Sequence, residues 1–262
     1  MLDRPLSEAR VLLSNDDGIH APGLAVLERV MRKLAKEVWV VAPETEQSAA
    51  SHSLTLRRPL RIRHLKGKRY AVDGTPTDSI LLAVKQVMQD QRPDLVVSGV
   101  NRGGNLGEDV TYSGTIAAAM EGTLLGIPSI ATSQVTDDRT RAPWSVAETW
   151  LPEVLKLLTT FDWPANVLMN VNFPDVPAAK VAGIEACRQG RRKLGGELVE
   201  GIDPRGQPYY WFGGYRRQDR FAKGTDLQAM REGVISVTPL SVSLTHRGSM
   251  RALKDALKDE LS

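Results

Sequence analysis

Apolar residues recur along the first half of this chain in two alternating rhythms. Val11-Leu12-Leu13 is a short apolar run that predicts a buried strand, and Val38-Trp39-Val40-Val41 predicts a second. Between them, Leu24, Leu27, Met31 and Leu34 recur at helical spacing with Val30 beside them. A helix start follows at Thr75-Pro76, with Asp78 three residues after the cap and Ile80, Leu81, Val84, Val87 and Met88 as the apolar face. Leu95-Val96-Val97 predicts a strand. Residues 113–125 predict a helix stopped by Gly126 and Pro128, and Ser129-Ile130-Ala131 predicts another strand. Residues 144–160 carry an amphipathic helical pattern, and Val167-Leu168-Met169 with Asn170-Val171-Asn172 predicts one more strand. Leu54 to Leu65 alternates poorly, and a hairpin around Arg57-Arg58-Pro59 is expected there. Strands alternating with helices predict an α/β fold, a parallel sheet with helices on both faces.

The rhythm then breaks. Residues 183–224 are rich in Gly and Arg, carry Tyr209-Tyr210-Trp211-Phe212 in a row and have no helical period. Extended hairpins projecting from the core are expected. A strand returns at Val234-Ile235-Ser236-Val237, and a polar helix is predicted from Met250 to Leu261. Without repeats, low-complexity tracts or a linker, one domain over 1–262 is expected, with an arm around 183–224 and a C-terminal helix around 250–261.

Composition narrows the partners. The 262 residues are 42% hydrophobic and 25% charged, which excludes a disordered, coiled-coil or collagen-like chain. Lys plus Arg number 34 against 31 Asp plus Glu, a net charge of +3, too small to argue for duplex nucleic acid or an anionic membrane. Cys187 is the single cysteine, so neither an intrachain disulfide nor a Cys-rich zinc site is available, and a cytoplasmic location is expected. No apolar run approaches the ~18 residues of a membrane span, and no apolar stretch resembling a signal peptide precedes the first strand.

Three loops follow three predicted parallel strands: Ser14-Asn15-Asp16-Asp17-Gly18, Ala42 to Ser48, and Ser98 to Asn105. Open parallel sheets bind ligands outside the carboxyl ends of their strands, so these loops should converge. Asp16 and Asp17 repel each other when both are ionised, and a bound dication would offset that. An N-cap pair before Pro22, or a plain Asp-Asp-Gly turn, accounts for the same residues. With Ser48 and Asn101 the carboxylates make an all-oxygen set suited to Mg²⁺ or Mn²⁺; an exposed loop hydroxyl and a turn residue bonding its own backbone are the plainer readings of those two. His20 is near enough in sequence to carry a proton. Ser113-Gly114-Thr115 opens a helix after a glycine-rich loop, a ready anion site. It is neither a Walker loop nor a Gly-x-Gly-x-x-Gly fingerprint, which disfavours a dinucleotide. Cys187 has no nucleophile motif around it and is read as a structural thiol.

These residues carry a family resemblance. Asn15-Asp16-Asp17-Gly18 with Ala21-Pro22-Gly23 resembles the signature of the SurE (survival protein E) family. Val41-Ala42-Pro43 with Gln47-Ser48-Ala49 and Ser51 is similar to its second motif. Ser98-Gly99-Val100-Asn101, Asn105-Leu106-Gly107, Tyr112-Ser113-Gly114-Thr115 and Ala118-Ala119-Met120-Glu121-Gly122 are similar to its third. Gly74-Thr75-Pro76, Thr225-Asp226 and Ser236-Val237-Thr238-Pro239-Leu240 also match, in co-linear order over residues 9–246. The resemblance implies a Rossmann-like, three-layer, mostly parallel sheet with a protruding β-hairpin and a C-terminal arm that makes homodimers or homotetramers. It implies a metal-dependent phosphatase acting on nucleoside 5′-monophosphates, with 3′-monophosphates and short polyphosphate as further substrates. Asp16, Asp17, Ser48 and Asn101 would hold one divalent cation, Asp16, Asp17 and Asn101 being catalytic, while Asn105, Ser113, Gly114 and Thr115 would bind phosphate. A nucleotide-binding regulator without turnover and a metal-dependent nucleotide-sugar glycosyltransferase are the rival classes. One departure stands out. Where the family has an Asp with a histidine two residues beyond its Leu-Thr, this chain has Ser243-Leu244-Thr245-His246. His246, the second acid–base candidate beside His20, therefore lacks its carboxylate.

Overall fold

The computed structural model describes residues 2–136, 144–162, 164–192, 198–212 and 221–260. The expected alternation is present. Strand β1 (Arg10–Ser14) leads through helix α1 (Pro22–Leu34) to β2 (Glu37–Pro43). An antiparallel pair, β3 (Ile62–Lys66) and β4 (Arg69–Val72), precedes α2 (Pro76–Leu82). Then come β5 (Leu95–Arg102), α3 (Gly114–Leu124), β6 (Ser129–Gln134), α4 (Ser145–Thr160) and β7 (Val167–Phe173). The later elements are β8 (Gly183–Ala186), β9 (Leu198–Ile202), β10 (Pro208–Phe212), α5 (Asp226–Arg231), β11 (Val234–Ser241) and α6 (Arg247–Glu260).

Among the described residues one nine-stranded sheet has the order β3-β4-β2-β1-β5-β6-β7-β11-β8. Strands β4, β2, β1, β5, β6 and β7 run parallel, and only β3 and the β11–β8 pair run against them. The period of two in a strand decides the layers. Val11 and Leu13 of β1 pack with Leu24, Leu27 and Met31 of α1 and Leu151 and Leu155 of α4. Leu12, between them, faces the other way onto Ile80 of α2 and Ala118 of α3. Helices α1 and α4 thus cover one face and α2 and α3 the other, the three-layer architecture expected. Among the described residues no helix is long and apolar enough to cross a membrane.

Three expectations need correction. The hairpin around residues 57–59 does not form; its two strands are β3 and β4, turning at Gly67 (φ +57°). Residues 53–55 are instead drawn to the start of α2. Asp78 closes a capping box with Thr75 and also accepts the Thr55 N–H at 3.0 Å and the Thr55 hydroxyl at 2.6 Å. The Thr75 hydroxyl donates to the Ser53 carbonyl at 2.8 Å. Second, the 183–224 segment does not leave the core as a whole. β8 is an outer strand of the main sheet, and only β9 and β10 form a separate hairpin, with Trp211 paired to Val199; residues 193–197 and 213–220 lie outside the described part. Third, α6 starts at Arg247 rather than Met250. The His246 ring closes the first turn from the N-terminal side by accepting the Ser249 N–H at 3.2 Å, and the Met250 N–H donates to the His246 carbonyl at 3.0 Å.

Asp78 is 2% exposed and takes part in four hydrogen bonds, two that tie α2 to Thr55 and two that close the capping box with Thr75. Asp78→Ala removes the charged acceptor and leaves buried donors unmet, so it should cost about 2–3 kcal/mol in urea unfolding. A loss below about 0.5 kcal/mol, the level of an ordinary surface change, would show that these bonds do not hold the segment.

Candidate active site

The three loops after β1, β2 and β5 do converge, and backbone bonds lace them together. Ile19 N–H donates to the Pro43 carbonyl at 2.8 Å and Gln47 N–H to the Asp16 carbonyl at 2.7 Å, which joins the first loop to the second. Arg102 N–H donates to Asp17 Oδ2 at 3.2 Å, joining the third to the first. The second loop holds Ala49 (φ +59°) and Ser51 (φ +52°) in the left-handed region, strain of the kind that clusters at functional sites.

Asp16 is buried at the end of β1, and the start of α3 is built against it. The Thr115 hydroxyl donates to Asp16 Oδ1, and the Gly114 and Thr115 backbone amides also favour the ionised form of that carboxyl. A Cβ on Gly114 would come within 2.7 Å of the Asp16 Cβ, so only glycine lets the helix end approach this closely. Burial outweighs these donors and pushes the Asp16 carboxyl up. Asp17 is raised to about 7, first by burial and then by the neighbouring Asp16 charge, with Glu46 adding to it. Asp17 and Glu46 also line a cavity of about 390 Å³ with Arg102 and Trp144.

The remaining expected ligands are close at hand but differently engaged. Ser48 is exposed, and its hydroxyl donates to Glu46 at 2.7 Å, leaving its lone pairs free. The Asn101 amide nitrogen donates to the Gly103 carbonyl at 2.8 Å, so the carbonyl oxygen is the atom left for a ligand. Among the described residues no three His, Cys, Asp or Glu side chains group as a metal cluster. The chemistry of this donor set, two crowded carboxylates with a neutral amide and a neutral hydroxyl, fits a hard oxygen-seeking dication.

Of the expected phosphate group, Ser113 caps α3 by accepting the Ile116 N–H at 3.1 Å, and Thr115 spends its hydroxyl proton on Asp16. Asn105 is held from every side. Its N–H donates to Asn172 Oδ1 at 2.8 Å, its carbonyl accepts from the Asn170 and Asn172 amides, and its own amide donates to Ser133 at 2.8 Å. Gly107 is pinned by Asp226, which accepts its N–H at 2.9 Å and that of Gly190 at 2.8 Å. Among the described residues, neither candidate histidine ring hydrogen-bonds to the three loops. His20 is exposed, and the exposed His246 ring is engaged by Ser249 at 2.7 Å within its own helix turn. Among the described residues, the hydrogen bonds of the Ser243 backbone with the Ser241 hydroxyl and of the His246 ring with Ser249 stay within the 241–249 stretch and do not reach the three loops. Cys187 is buried, and burial pushes its thiol up to about 11, in keeping with a structural thiol.

Sequence reasoning missed Asn170, Asn172, Ser133 and Asp226 as supports of the site. Asparagines at alternate positions of a buried strand were the available signal. It also missed the contact of His52 with Glu121, which no spacing rule announces.

The model of the family described as survival protein SurE matches residues 11–196. A 5′-nucleotidase SurE of Paramagnetospirillum magneticum is 61% identical over 250 residues, covering 95% of this chain and 96% of its own. The 5′-nucleotidase SurE of Rhodospirillum rubrum is 56% identical, covering 96% and 97%. The crystal structure of a SurE protein from Aquifex aeolicus superposes with a TM-score of 0.83 at 38% identity, over 94% of this chain and 99% of that one.

Burial and its acidic neighbours raise Asp17, so the folded chain binds that proton more tightly than the unfolded chain. The associated stabilisation is complete below the unfolded carboxylate value of ~4 and is lost as pH rises through about 7. In metal-free protein, Asp17→Asn should therefore melt at the same or a higher temperature than the parent at pH ~8, with the difference closing toward pH ~4. A lower melting temperature at pH ~8 would show that no uncompensated charge resides there.

Proposed function

The chain belongs to the survival protein SurE family, and from that premise we propose that the crevice at the carboxyl ends of β1, β2 and β5 is its phosphatase site. The protein is a 5′-nucleotidase that hydrolyses nucleoside monophosphates to nucleoside and phosphate. The observation that carries the site assignment is the Asp16–Asp17 pair, placed at the end of β1 against the start of α3. Nucleoside 3′-monophosphates and short polyphosphate are proposed as further substrates.

Asp16, Asp17, Ser48 and Asn101 would hold one divalent cation, Mg²⁺ or Mn²⁺. When bound, such an ion supplies positive charge to a phosphoryl oxygen and acidifies water. The chain does the rest. Thr115 and the α3 amides fix the Asp16 carboxyl in one orientation and favour its ionised form against the pull of burial. The second amide proton of Asn105 and the Ser113 hydroxyl are the donors proposed for phosphoryl oxygens. The Asn170–Asn172–Ser133 network holds Asn105 rigid, so its orientation is set before substrate arrives. His20 is exposed and the exposed His246 ring is engaged by Ser249, so neither is assigned general acid catalysis. His246→Ala and His20→Ala should each keep kcat on AMP within about threefold of the parent, well short of the ~10²–10⁴-fold of a dedicated acid–base group.

We take residues 1–262 as one domain with a cytoplasmic location. The apolar side chains of the β9–β10 hairpin, Tyr210, Trp211 and Phe212 among them, are exposed, as are Met250, Leu253 and Leu257 on α6. A two-stranded hairpin is marginal alone, and a patch of this kind marks an interface. A second copy of the chain, in a homodimer or homotetramer, is the proposed cover.

Phosphate release from AMP with Mn²⁺ tests the function. Asp16→Asn and Asp17→Asn should each abolish it with the fold intact, and chelation should do so reversibly. Full activity in either variant would refute the site, and a wild type that binds AMP without releasing phosphate would favour a regulator. Turnover of a nucleotide sugar with inertness toward AMP would favour a glycosyltransferase. For assembly, Trp211→Glu with Phe212→Glu should lower the mass seen by light scattering, and an unchanged mass would refute the interface.

A further inference from the structure

Beside the start of α3 lies a second and larger cavity, of about 800 Å³, which shares only Ser113 with the groups proposed for phosphate. Ser113 lines it, so it adjoins the proposed phosphate site. Its wall is mostly apolar, with Ile116 and Met120 from successive turns of α3, Leu240 near the end of β11 and Val242 just beyond it. A volume of this size with apolar walls and a few polar groups is typical of a site for a small organic molecule.

Two polar groups in that wall stand out. His52 lines the cavity, and its Nε2 lies 3.0 Å from the buried Glu121 carboxylate. A carboxylate only accepts, so Nε2 carries the proton and the ring is fixed in place, with Nδ1 left without a partner among the described residues. The loop that presents His52 is itself pinned: Ser51 donates its N–H to the Tyr112 carbonyl at 3.1 Å and its hydroxyl to the Thr111 carbonyl at 2.9 Å. Thr238 of β11 also lines the cavity; it is 2% exposed, and its hydroxyl has no hydrogen-bond partner among the described residues. A buried hydroxyl left unmet is costly and calls for an explanation. Glu121 stands eight residues after Ser113, about 12 Å along a helix axis, a separation on the scale of a nucleoside rather than of a phosphate.

We propose that this cavity receives the nucleoside of the substrate, its base against the Ile116–Met120–Leu240 wall, with His52, held by Glu121, and Thr238 as the side chains that hydrogen-bond it. The assignment rests on the nucleotidase reading and adds to it the part of the site that separates nucleotides from other phosphomonoesters. His52 acts here as a specificity-determining residue, and proton transfer to the leaving oxygen is not assigned to it.

The test compares AMP with glycerol phosphate, which has a phosphate but no nucleoside, using the full chain and Mn²⁺. His52→Ala should raise KM for AMP about tenfold, the worth of one hydrogen bond, and leave kcat/KM for glycerol phosphate within about twofold. Thr238→Val keeps the side-chain shape and removes the unmet hydroxyl. It should raise KM for AMP severalfold while the melting temperature holds or rises, a combination that a purely structural role would not produce. Equal losses on both substrates, or an unchanged KM for AMP in either variant, would overturn the proposal. A wild type that releases no phosphate from AMP would refute the nucleotidase reading instead. Calorimetric AMP binding then reads the cavity, and an unchanged affinity in His52→Ala overturns the assignment in that case too.

Discussion

Two carboxylates cannot sit adjacent and shielded from water at the end of a strand unless their surroundings offset the charge, and much of this molecule is arranged around that requirement. Asp16 is met by the Thr115 hydroxyl and by the amides at the start of α3. Those donors reach it only because Gly114 lacks a side chain where a Cβ would strike Asp16. Asp17 has the backbone N–H and the charge of Arg102 on its side, while burial, Asp16 and Glu46 all work against its ionisation. The imbalance is local and directional. Asp16 has more donors than Asp17, yet burial raises both carboxyls, so the protein alone does not offset the charge of the pair.

The sheet makes the pair possible. Because β1, β2 and β5 run parallel and adjacent, their following loops emerge at one edge. The link between Gln47 and Asp16 is a bond between backbone groups and does not depend on which side chains surround it. The link from Arg102 to Asp17 uses a backbone donor but needs the carboxylate. The second layer of support comes from the far half of the chain. Asn170 and Asn172 on β7 hold Asn105, and Asp226 at the start of α5 holds Gly107. A change in these residues would act on the site by moving the third loop, without touching a ligand.

The layers and the loops were legible in the chain because they follow from periodicity and parallel-strand geometry. Val11 and Leu13 against Leu12 report two covered faces, and Thr75-Pro76 with Asp78 reports a helix start that the structure reproduces with both reciprocal bonds. The failures share a cause, which is that tertiary partners outvote local pattern. Residues 53–55 satisfy Asp78 across the fold in place of a hairpin strand. Residues 183–186 look like part of a projecting arm in sequence, yet they pair with β11, a strand that comes about fifty residues later. The bond from the Thr115 hydroxyl to Asp16 is likewise a tertiary contact that no spacing shows.

The histidines are all exposed, so their partners are what distinguish them. His20 follows the carboxylates by a few residues, and the ring of His246, at the shifted end of a motif, is engaged by Ser249. His52 sits in a loop whose neighbours are Ser, Ala and Thr, and nothing in that run singles it out. What distinguishes it is Glu121, sixty-nine residues away on α3. The same helix therefore serves the site twice. Its first turn grips Asp16, and its third turn holds the imidazole at the wall of the larger cavity. One rigid element setting both distances is a physical way to measure a substrate: a phosphate at one end and an apolar, hydrogen-bonding group at the other must be the right length apart to satisfy both.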